Sequence, residues 1–295
     1  MKHMTRGMKI FRVFNYIFII LVCTTCFLPL LNTLAISFSS PAAVSTGKVY
    51  FWPKGFTLMA YEFAMQNGKF LRALQVSVFR CLLGVGINLF MMITTAYPLS
   101  KSKSRFGARN FYMVFYVFTI LFGGGLIPYY ILVNQLGLMN SIWSLVLPLS
   151  VPVYSMIILM NFIRGLPPEL EEAAMVDGAG QFRTLVTVVL PVLKPALATV
   201  GLFSFVYHWN DWFTGALFMH NPRNYPLQTY LQTLLTNFND MLRQSGSNYY
   251  ELLARMNEQT GRAAQLFLGL IPILIVYPFL QKYFTTGLVM GSVKG

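Results

Sequence analysis

Six stretches of the chain are long and apolar enough to cross a membrane. A transmembrane helix needs about 20 predominantly apolar residues to cover about 30 Å of hydrocarbon. Because lipid offers the backbone no hydrogen bonds, each stretch is predicted to be a helix. The predicted spans are residues 10–36, 76–97, 110–133, 141–163, 196–219 and 264–284.

Residues that disturb helices fall inside or beside these spans. Gly123, Gly124 and Gly125 interrupt the third span, where glycines permit close helix approach or a bend. A phosphate-binding loop is the weaker interpretation, because the run lies in an apolar segment. Prolines are tolerated in membrane helices and often mark kinks, and they occur here at Pro29, Pro128, Pro148, Pro152, Pro272 and Pro278.

Basic residues concentrate in the short segments that flank the spans. The N-terminal tail and the loop 98–109 each carry four basic residues and no acidic one. By the positive-inside rule, both segments are predicted to be cytoplasmic. Six spans then place both termini and the loop 164–195 in the cytoplasm, and the loops 37–75 and 220–263 outside.

The composition supports a membrane protein. Hydrophobic residues make up 56% of the chain and charged residues only 11%, whereas a soluble domain has about 25% charged residues. A net charge of +13 on a soluble protein would suggest a nucleic-acid partner, but here the charge follows the predicted topology. The chain is interpreted as one all-α transmembrane domain, 1–295, without an internal repeat, so its symmetry partner is expected on another polypeptide.

The loop 164–195 carries the start signal of a helix. Pro167 and Pro168 suit a first helical turn, where the missing N–H is not needed. Acidic side chains follow at once, and negative charge is favourable at the positive end of the helix dipole. These acidic residues are Glu169, Glu171 and Glu172.

The same loop carries a turn and a second helix. The first helix is predicted to end at Asp177 and Gly178, since glycine readily adopts the left-handed conformation. The second helix is predicted over 181–189, stopping at Leu190 and Pro191. With small alanines on its face, the first helix suits close packing against another surface, although a solvated loop with good caps has the same signals.

A family resemblance favours the packing surface. The series Glu172-Ala-Ala174, Asp177-Gly-Ala179 and Val188-x-Leu-Pro191 resembles the EAA motif of binding-protein-dependent ABC importers. The motif usually has Ile at the position of Val188. In that family this segment is the coupling helix, which sits in a cleft of the ATPase subunit. The resemblance therefore implies that the ATPase contacts are made by Glu171, Glu172, Ala173, Ala174, Asp177, Gly178, Ala179, Leu190 and Pro191.

The resemblance extends over almost the whole chain. The segments 96–100 and 209–212 are similar to those of sugar-importer permeases of the maltose-importer-like family, and the tail 281–295 resembles the subgroup for complex oligosaccharides, such as alginate or rhamnogalacturonan fragments. This implies a type I importer fold in the cytoplasmic (inner) membrane and sugar import by alternating access. It also implies four kinds of partner: a second homologous permease forming a heterodimer, two ATPase subunits, an extracytoplasmic solute-binding protein, and membrane lipid.

Two polar features lie near the predicted outer ends of spans. Aromatic and polar groups that could stack on a sugar and bond its hydroxyls occur together at Trp209, Asn210, Asp211 and Trp212. For Asp211 the favoured alternative is a cap or an ion pair without substrate contact, because a lone carboxylate in lipid is costly. Arg80 is interpreted as snorkelling to the interface, with attraction of an acidic sugar as the alternative.

Catalytic and nucleotide-binding motifs are missing from the sequence. It contains no G-x-x-x-x-G-K-[ST] loop, so no cofactor is expected in this chain, and ATP and Mg are expected on the partner ATPase subunits. His3, His208 and His220 lack metal-ligand spacing. We therefore predict that the chain is not an enzyme by itself. The competing classes are a permease for another solute, a secondary transporter and a membrane-embedded enzyme.

Overall fold

The computed structural model describes residues 6–66, 68–233 and 258–292. Within these ranges all regular structure is helical, which confirms the all-α prediction. The α-helices are α1 Arg6–Ser37, α2 Pro41–Ser45, α3 Met59–Gln66, α4 Lys69–Ser100, α5 Arg109–Leu121, α6 Leu126–Gln135, α7 Ile142–Val146, α8 Val153–Arg164, α9 Glu169–Val176, α10 Gln181–Thr184, α11 Leu190–Val192, α12 Lys194–Asn210, α13 Phe213–Phe218 and a C-terminal helix Glu258–Ser292.

The chain falls into two compact units. The first comprises Met1–Gly68 and Thr233–Ile271, and the second comprises Lys69–Gln232 and Pro272–Gly295. In the first unit, α1 exposes apolar side chains all around its first six turns, as a helix surrounded by lipid does. Near its end it becomes buried, and Asn32 Nδ2 donates to the carbonyl of Tyr50 at 2.7 Å.

The second unit is built around α4, which packs against α8 and α12. Its core is an apolar cluster at the crossing of these helices, and every member is at most 7% exposed. Close-packed side chains of this kind hold helices together in a membrane, where burial from water is not a driving force. The central members are Met92, Ala96, Met156, Leu159, Met160, Val189 and Val200.

Two described helices are each long and apolar enough to cross a membrane, Gly7–Ser37 and Lys69–Ser100. Three further pairs of helices meet the same test only together, and if each bent pair is one span, the described residues hold up to five spans. The sixth predicted span, 264–284, lies in the C-terminal helix, whose side chains are described only in part. That span stays a prediction, and most of the loop 220–263 lies outside the described residues.

The prediction of a continuous helix over 110–133 is wrong. The chain bends by 115° between α5 and α6. Gly125 has φ +84°, a conformation that L side chains rarely adopt, so the break falls where glycine permits it. Of the two roles predicted for the three glycines, close helix approach or a bend, the structure has the bend.

The fourth and fifth predicted spans are also interrupted. The pair Ile142–Leu149 and Val153–Arg164 bends by 49°, with Pro148 and Pro152 at the break, as predicted for prolines. In the fifth span, α12 ends at Asn210, and α13 begins at Phe213 after a two-residue break. The prediction of an unbroken helix over 196–219 is therefore wrong.

Candidate functional site

The loop 164–195 folds into the predicted helix and glycine turn. Helix α9 begins after Pro168 and carries three glutamates in its first turn. It ends at Val176 with Asp177 as its C-cap, and Gly178 follows with φ +78°. The amide of Gly178 donates to Met175 O at 3.0 Å and that of Ala179 to Ala174 O at 2.9 Å. These bonds satisfy carbonyls that a helix end otherwise leaves free.

The second helix of the loop differs from the prediction. It does not stop at Leu190 and Pro191 but continues through a π-helical turn, Leu185–Val189, into α11. In the wide turn, the amide of Leu190 donates to Leu185 O, five residues back. Pro191 lies in the first turn of α11. It has no backbone N–H to donate, which the wide π-helical turn before it tolerates. The helix breaks only at Leu193, where the chain bends by 83° into α12.

Most of the nine predicted coupling residues lie on the surface of the loop. Glu172, Ala173, Asp177, Gly178 and Pro191 are exposed, and Glu171, Ala174, Ala179 and Leu190 are half-buried. Large apolar side chains lie beside them: Val176 is 88% exposed and Phe182 is 79% exposed. We call the exposed surface of α9 and α10 the docking face.

The opposite side of α9 is held by the end of α4. Lys101 Nζ lies 2.5 Å from both carboxylate oxygens of Glu171, and the two side chains are 11% and 12% exposed. Lys101 also lies over the Tyr97 ring, 3.8 Å from its centroid. Burial lowers the pKa of Lys101, and its hydrogen bond to Glu171 opposes that shift. Glu171 is therefore occupied within the chain, whereas the side chain of Glu172 is 59% exposed.

A buried ion pair links α4 to the end of α12. Arg80 is 0% exposed and pairs with the carboxylate of Asp211. Its guanidinium also donates to Asp211 O at 2.9 Å and to Thr214 Oγ1 at 3.1 Å. The prediction that Arg80 snorkels to the interface is wrong, because a carboxylate and further oxygens at the site satisfy its charge inside the protein.

The four residues 209–212 have different environments. Trp209 is 3% exposed, which prevents its ring from stacking on a sugar in this conformation. Asn210 and Trp212 are exposed. Asp211 ends α12, accepts from the Thr214 amide at 3.2 Å and pairs with Arg80, so it has the environment of the alternative without substrate contact.

A cavity that the sequence did not indicate opens beside α4, α8 and α12. Its volume is about 260 Å³, and all of its lining residues are uncharged. It combines amide and hydroxyl groups with aromatic rings, but none of the residues 209–212 lines it. Such a lining can contact an uncharged polar solute. The lining residues are Asn88, Leu149, Pro152, Ser155, Phe203, Ser204 and Tyr207.

His208 is packed beside this cavity. It is 1% exposed, and its Nε2 lies 3.3 Å from the Asn88 amide. The ring lies against Gly84, where an added Cβ would be 2.3 Å from Nε2. Among the described residues, no three His, Cys, Asp or Glu side chains are grouped as metal ligands would be. The arrangement is that of a packed helix crossing.

Comparison with known proteins relates this arrangement to membrane transport. The family model "Binding-protein-dependent transport system inner membrane component" matches residues 5–289. Protein LplC of Bacillus subtilis (strain 168) is 37% identical over 293 residues, which are 99% of this chain and 98% of the relative. The polygalacturonan/rhamnogalacturonan transport system permease protein YtcP of the same strain is 34% identical over 290 residues, 97% of this chain and 99% of the relative.

A solved structure has the same fold. It is the crystal structure of a bacterial ABC transporter involved in the import of the acidic polysaccharide alginate, in which one chain matches with a TM-score of 0.88 and 28% identity. The match covers 96% of this chain and 100% of that chain. The predicted type I importer fold is thereby confirmed. The family match over nearly the full length shows that the chain belongs to the inner-membrane components of binding-protein-dependent transport systems.

Proposed function

We propose that this chain is one of two permease subunits of an ATP-driven importer that carries oligosaccharides into the cytoplasm by alternating access. Family membership supports the transport function. The cargo is supported by the names of similar proteins, since YtcP is named for polygalacturonan and rhamnogalacturonan and the solved relative for alginate. Fragments released from such polysaccharides are the substrate class we assign.

The observation that carries the proposal is the docking face. Val176 and Phe182 are among the most exposed large apolar side chains outside the predicted spans, at 88% and 79%. Exposed apolar groups next to an acidic helix turn are typical of a surface that another protein covers. The covering protein that we propose is the ATPase subunit, whose cleft receives the corresponding segment in the family that the EAA motif resembles.

The remaining partners follow from the same assignment. ATP and Mg bind to two ATPase subunits, and this chain holds neither and catalyses no reaction by itself. A second, homologous permease completes the pathway, and a solute-binding protein delivers the sugar from outside. The acid-free basic segments support a cytoplasmic location for both termini and the loop 164–195, on the side of the motor.

Replacement of Gly178 by valine tests the docking role. Gly178 has φ +78°, and a Cβ there would meet nothing within 4 Å, so within this chain the substitution acts through the backbone alone. A β-branched residue at positive φ is strained and displaces the end of α9 from its bound position. We expect sugar uptake by proteoliposomes containing the complete complex to fall at least tenfold, with ATPase subunits lost or their hydrolysis uncoupled.

Gly137→Val is the matched control. Gly137 has φ +67° and likewise no atom within 4 Å of an added Cβ, but it lies in the turn after α6, outside the docking face. The control therefore carries the same strain without the proposed contact. Wild-type coupled uptake by Gly178→Val, or equal loss in both variants, would contradict the docking role. Absence of binding-protein-dependent sugar uptake by the wild-type complex would contradict the proposed cargo.

A further inference from the structure

Helix α4 is held by charged contacts at two levels. In its first half, Arg80 pairs with Asp211 inside the protein. Just after its end, Lys101 pairs with Glu171 of the docking helix α9. The two basic residues are 21 positions apart along an essentially continuous helix, a distance of about 30 Å at 1.5 Å per residue.

The end of α4 is linked to the docking loop at α9 and at α10. Glu171, in the first turn of α9, pairs with Lys101 through both carboxylate oxygens. Beyond the glycine turn, Gln181 Oε1 accepts from Tyr97 Oη at 3.1 Å. Since Lys101 also lies over the Tyr97 ring, the two links share one surface of α4. Both helices of the docking loop are thus fastened to the same turn of α4.

The same end of α4 is fixed to its neighbours. The carbonyl of Leu99, which a helix end leaves without an intrahelical partner, accepts from Arg109 Nε at 3.1 Å and from Arg164 Nη2 at 3.0 Å. Arg109 begins α5 and Arg164 ends α8. A displacement at this point therefore reaches three helices, α4, α5 and α8.

We propose that Glu171 is a positioning residue whose ion pair with Lys101 fastens the docking helix to α4, so that displacement of α9 moves α4 and, through it, the Arg80–Asp211 pair. The inference rests on the proposed function, since it takes α9 to be moved by the ATPase. The inference gives two neighbouring acids different roles. Glu171 holds α9 to α4 within the chain, and the exposed Glu172 is available to contact the ATPase subunit.

Burial separates this pair from ordinary surface ion pairs. Exposed salt bridges contribute little because water and salt screen them. Arg105, which lies 3.7 Å from Glu172, is 47% exposed, whereas Lys101 and Glu171 are 11% and 12% exposed. Breaking the buried pair takes from the Glu171 carboxylate its nearest cation and leaves it only Arg105, which is 4.0 Å away and 47% exposed, so the attachment of α9 to α4 is weakened.

The test uses charge reversal in the complete complex, reconstituted with its second permease, ATPase subunits and binding protein. We expect Lys101→Glu and Glu171→Lys each to lower sugar uptake at least tenfold, while the ATPase subunits remain bound and continue to hydrolyse ATP. The double variant Lys101→Glu/Glu171→Lys restores the pair and is expected to recover uptake several-fold over either single variant. Lys103→Glu, the same charge change at an exposed position of the same loop, is the matched control and is expected to behave as wild type.

Amide hydrogen exchange supplies a readout that does not depend on the cargo. We expect Lys101→Glu, but not Lys103→Glu, to raise exchange in 169–176 at least tenfold, because α9 loses its attachment. Unchanged exchange would overturn the proposal, as would wild-type uptake by both single variants. Loss of ATPase subunits in Glu171→Lys and in the double variant alike would assign Glu171 to the motor interface and also overturn it. Failure of the proposed cargo is seen separately, as absent uptake by the wild-type complex.

Discussion

Removal of the Asp211 carboxylate is the perturbation whose size the structure predicts best. Arg80 is 0% exposed, and Asp211 is the only acid that pairs with it among the described residues. In Asp211→Ala, the guanidinium keeps its bonds to the carbonyl of residue 211 and to Thr214 but loses its counter-charge. A water that enters from the partly exposed side of Asp211 can replace a hydrogen bond there but not the counter-charge.

The expected cost follows from the desolvated charge. Breaking a buried ion pair by removing one partner costs about 3–5 kcal/mol. At roughly 2–4 °C per kcal/mol for a chain of this size, the unfolding midpoint should fall by roughly 6–20 °C. Removing both charges in Arg80→Met/Asp211→Asn leaves no unpaired ion, so the double variant should recover more than half of that loss.

Cys81 provides the assay. It is 3% exposed and follows Arg80 in α4, so its thiol reacts with a maleimide only when this crossing opens. The purified complex is heated in steps with maleimide, and labelling of Cys81 is followed by peptide mass spectrometry. A cysteine introduced at the exposed Ser102 serves as an internal standard that is labelled at every temperature. Glu62→Gln, an exposed acid outside the docking face, controls for the loss of one charge.

Two results would refute this reasoning. If Asp211→Ala opens at the wild-type temperature, the buried pair does not hold the crossing. If the double variant is at least as unstable as Asp211→Ala, the loss comes from packing or hydrogen bonding and not from the unpaired charge. In the second case, the charges of Arg80 and Asp211 would not be what holds α4 to the end of α12.

Two further predictions test packing and topology. Gly84→Ala places a Cβ 2.3 Å from His208 Nε2 and should destabilise the same helix crossing by about 1–3 kcal/mol. Gly86→Ala is the control, because an added Cβ there meets open space. The temperature at which Cys81 becomes labelled should fall in the first variant and not in the second. A cysteine at Ser102 should resist an impermeant maleimide added to intact cells, whereas one at Thr46 should react. Labelling of the first from outside would contradict the six-span topology.

Structural features that depend on residues close together in the chain could be predicted from the sequence. The start of α9 beside Pro168 and its end just before Gly178 depend on the local rules of helix termini, and both were predicted to within about two residues. A bend was one of two roles predicted for the glycines at 123–125, and it occurs at Gly125, since glycine readily adopts this conformation. The role of the docking face as an ATPase contact was inferred from the motif and stays a prediction.

Structural features that depend on residues far apart in the chain could not be predicted from the sequence. Arg80 and Asp211 are 131 positions apart, and no local pattern reports that α4 and α12 meet where these charges lie. Read alone, Arg80 near a span end resembled a snorkelling side chain. The Lys101–Glu171 pair, 70 positions apart, and the cavity lining were missed for the same reason. Pairing across helices requires knowledge of their packing, which periodicity does not contain.

The π-helical turn Leu185–Val189 has a consequence for tolerance to deletion. A π turn holds one residue more than an α turn, so its loss would convert the segment to regular α-helix. Each α-helical residue rotates the chain by about 100°. Removing a residue from a regular α-helix would therefore turn the segments on either side by about that angle relative to each other. Removing one from the π turn only closes the wide turn and leaves the docking face at nearly the same rotation, so a one-residue deletion should be tolerated better there than within the α-helices on either side.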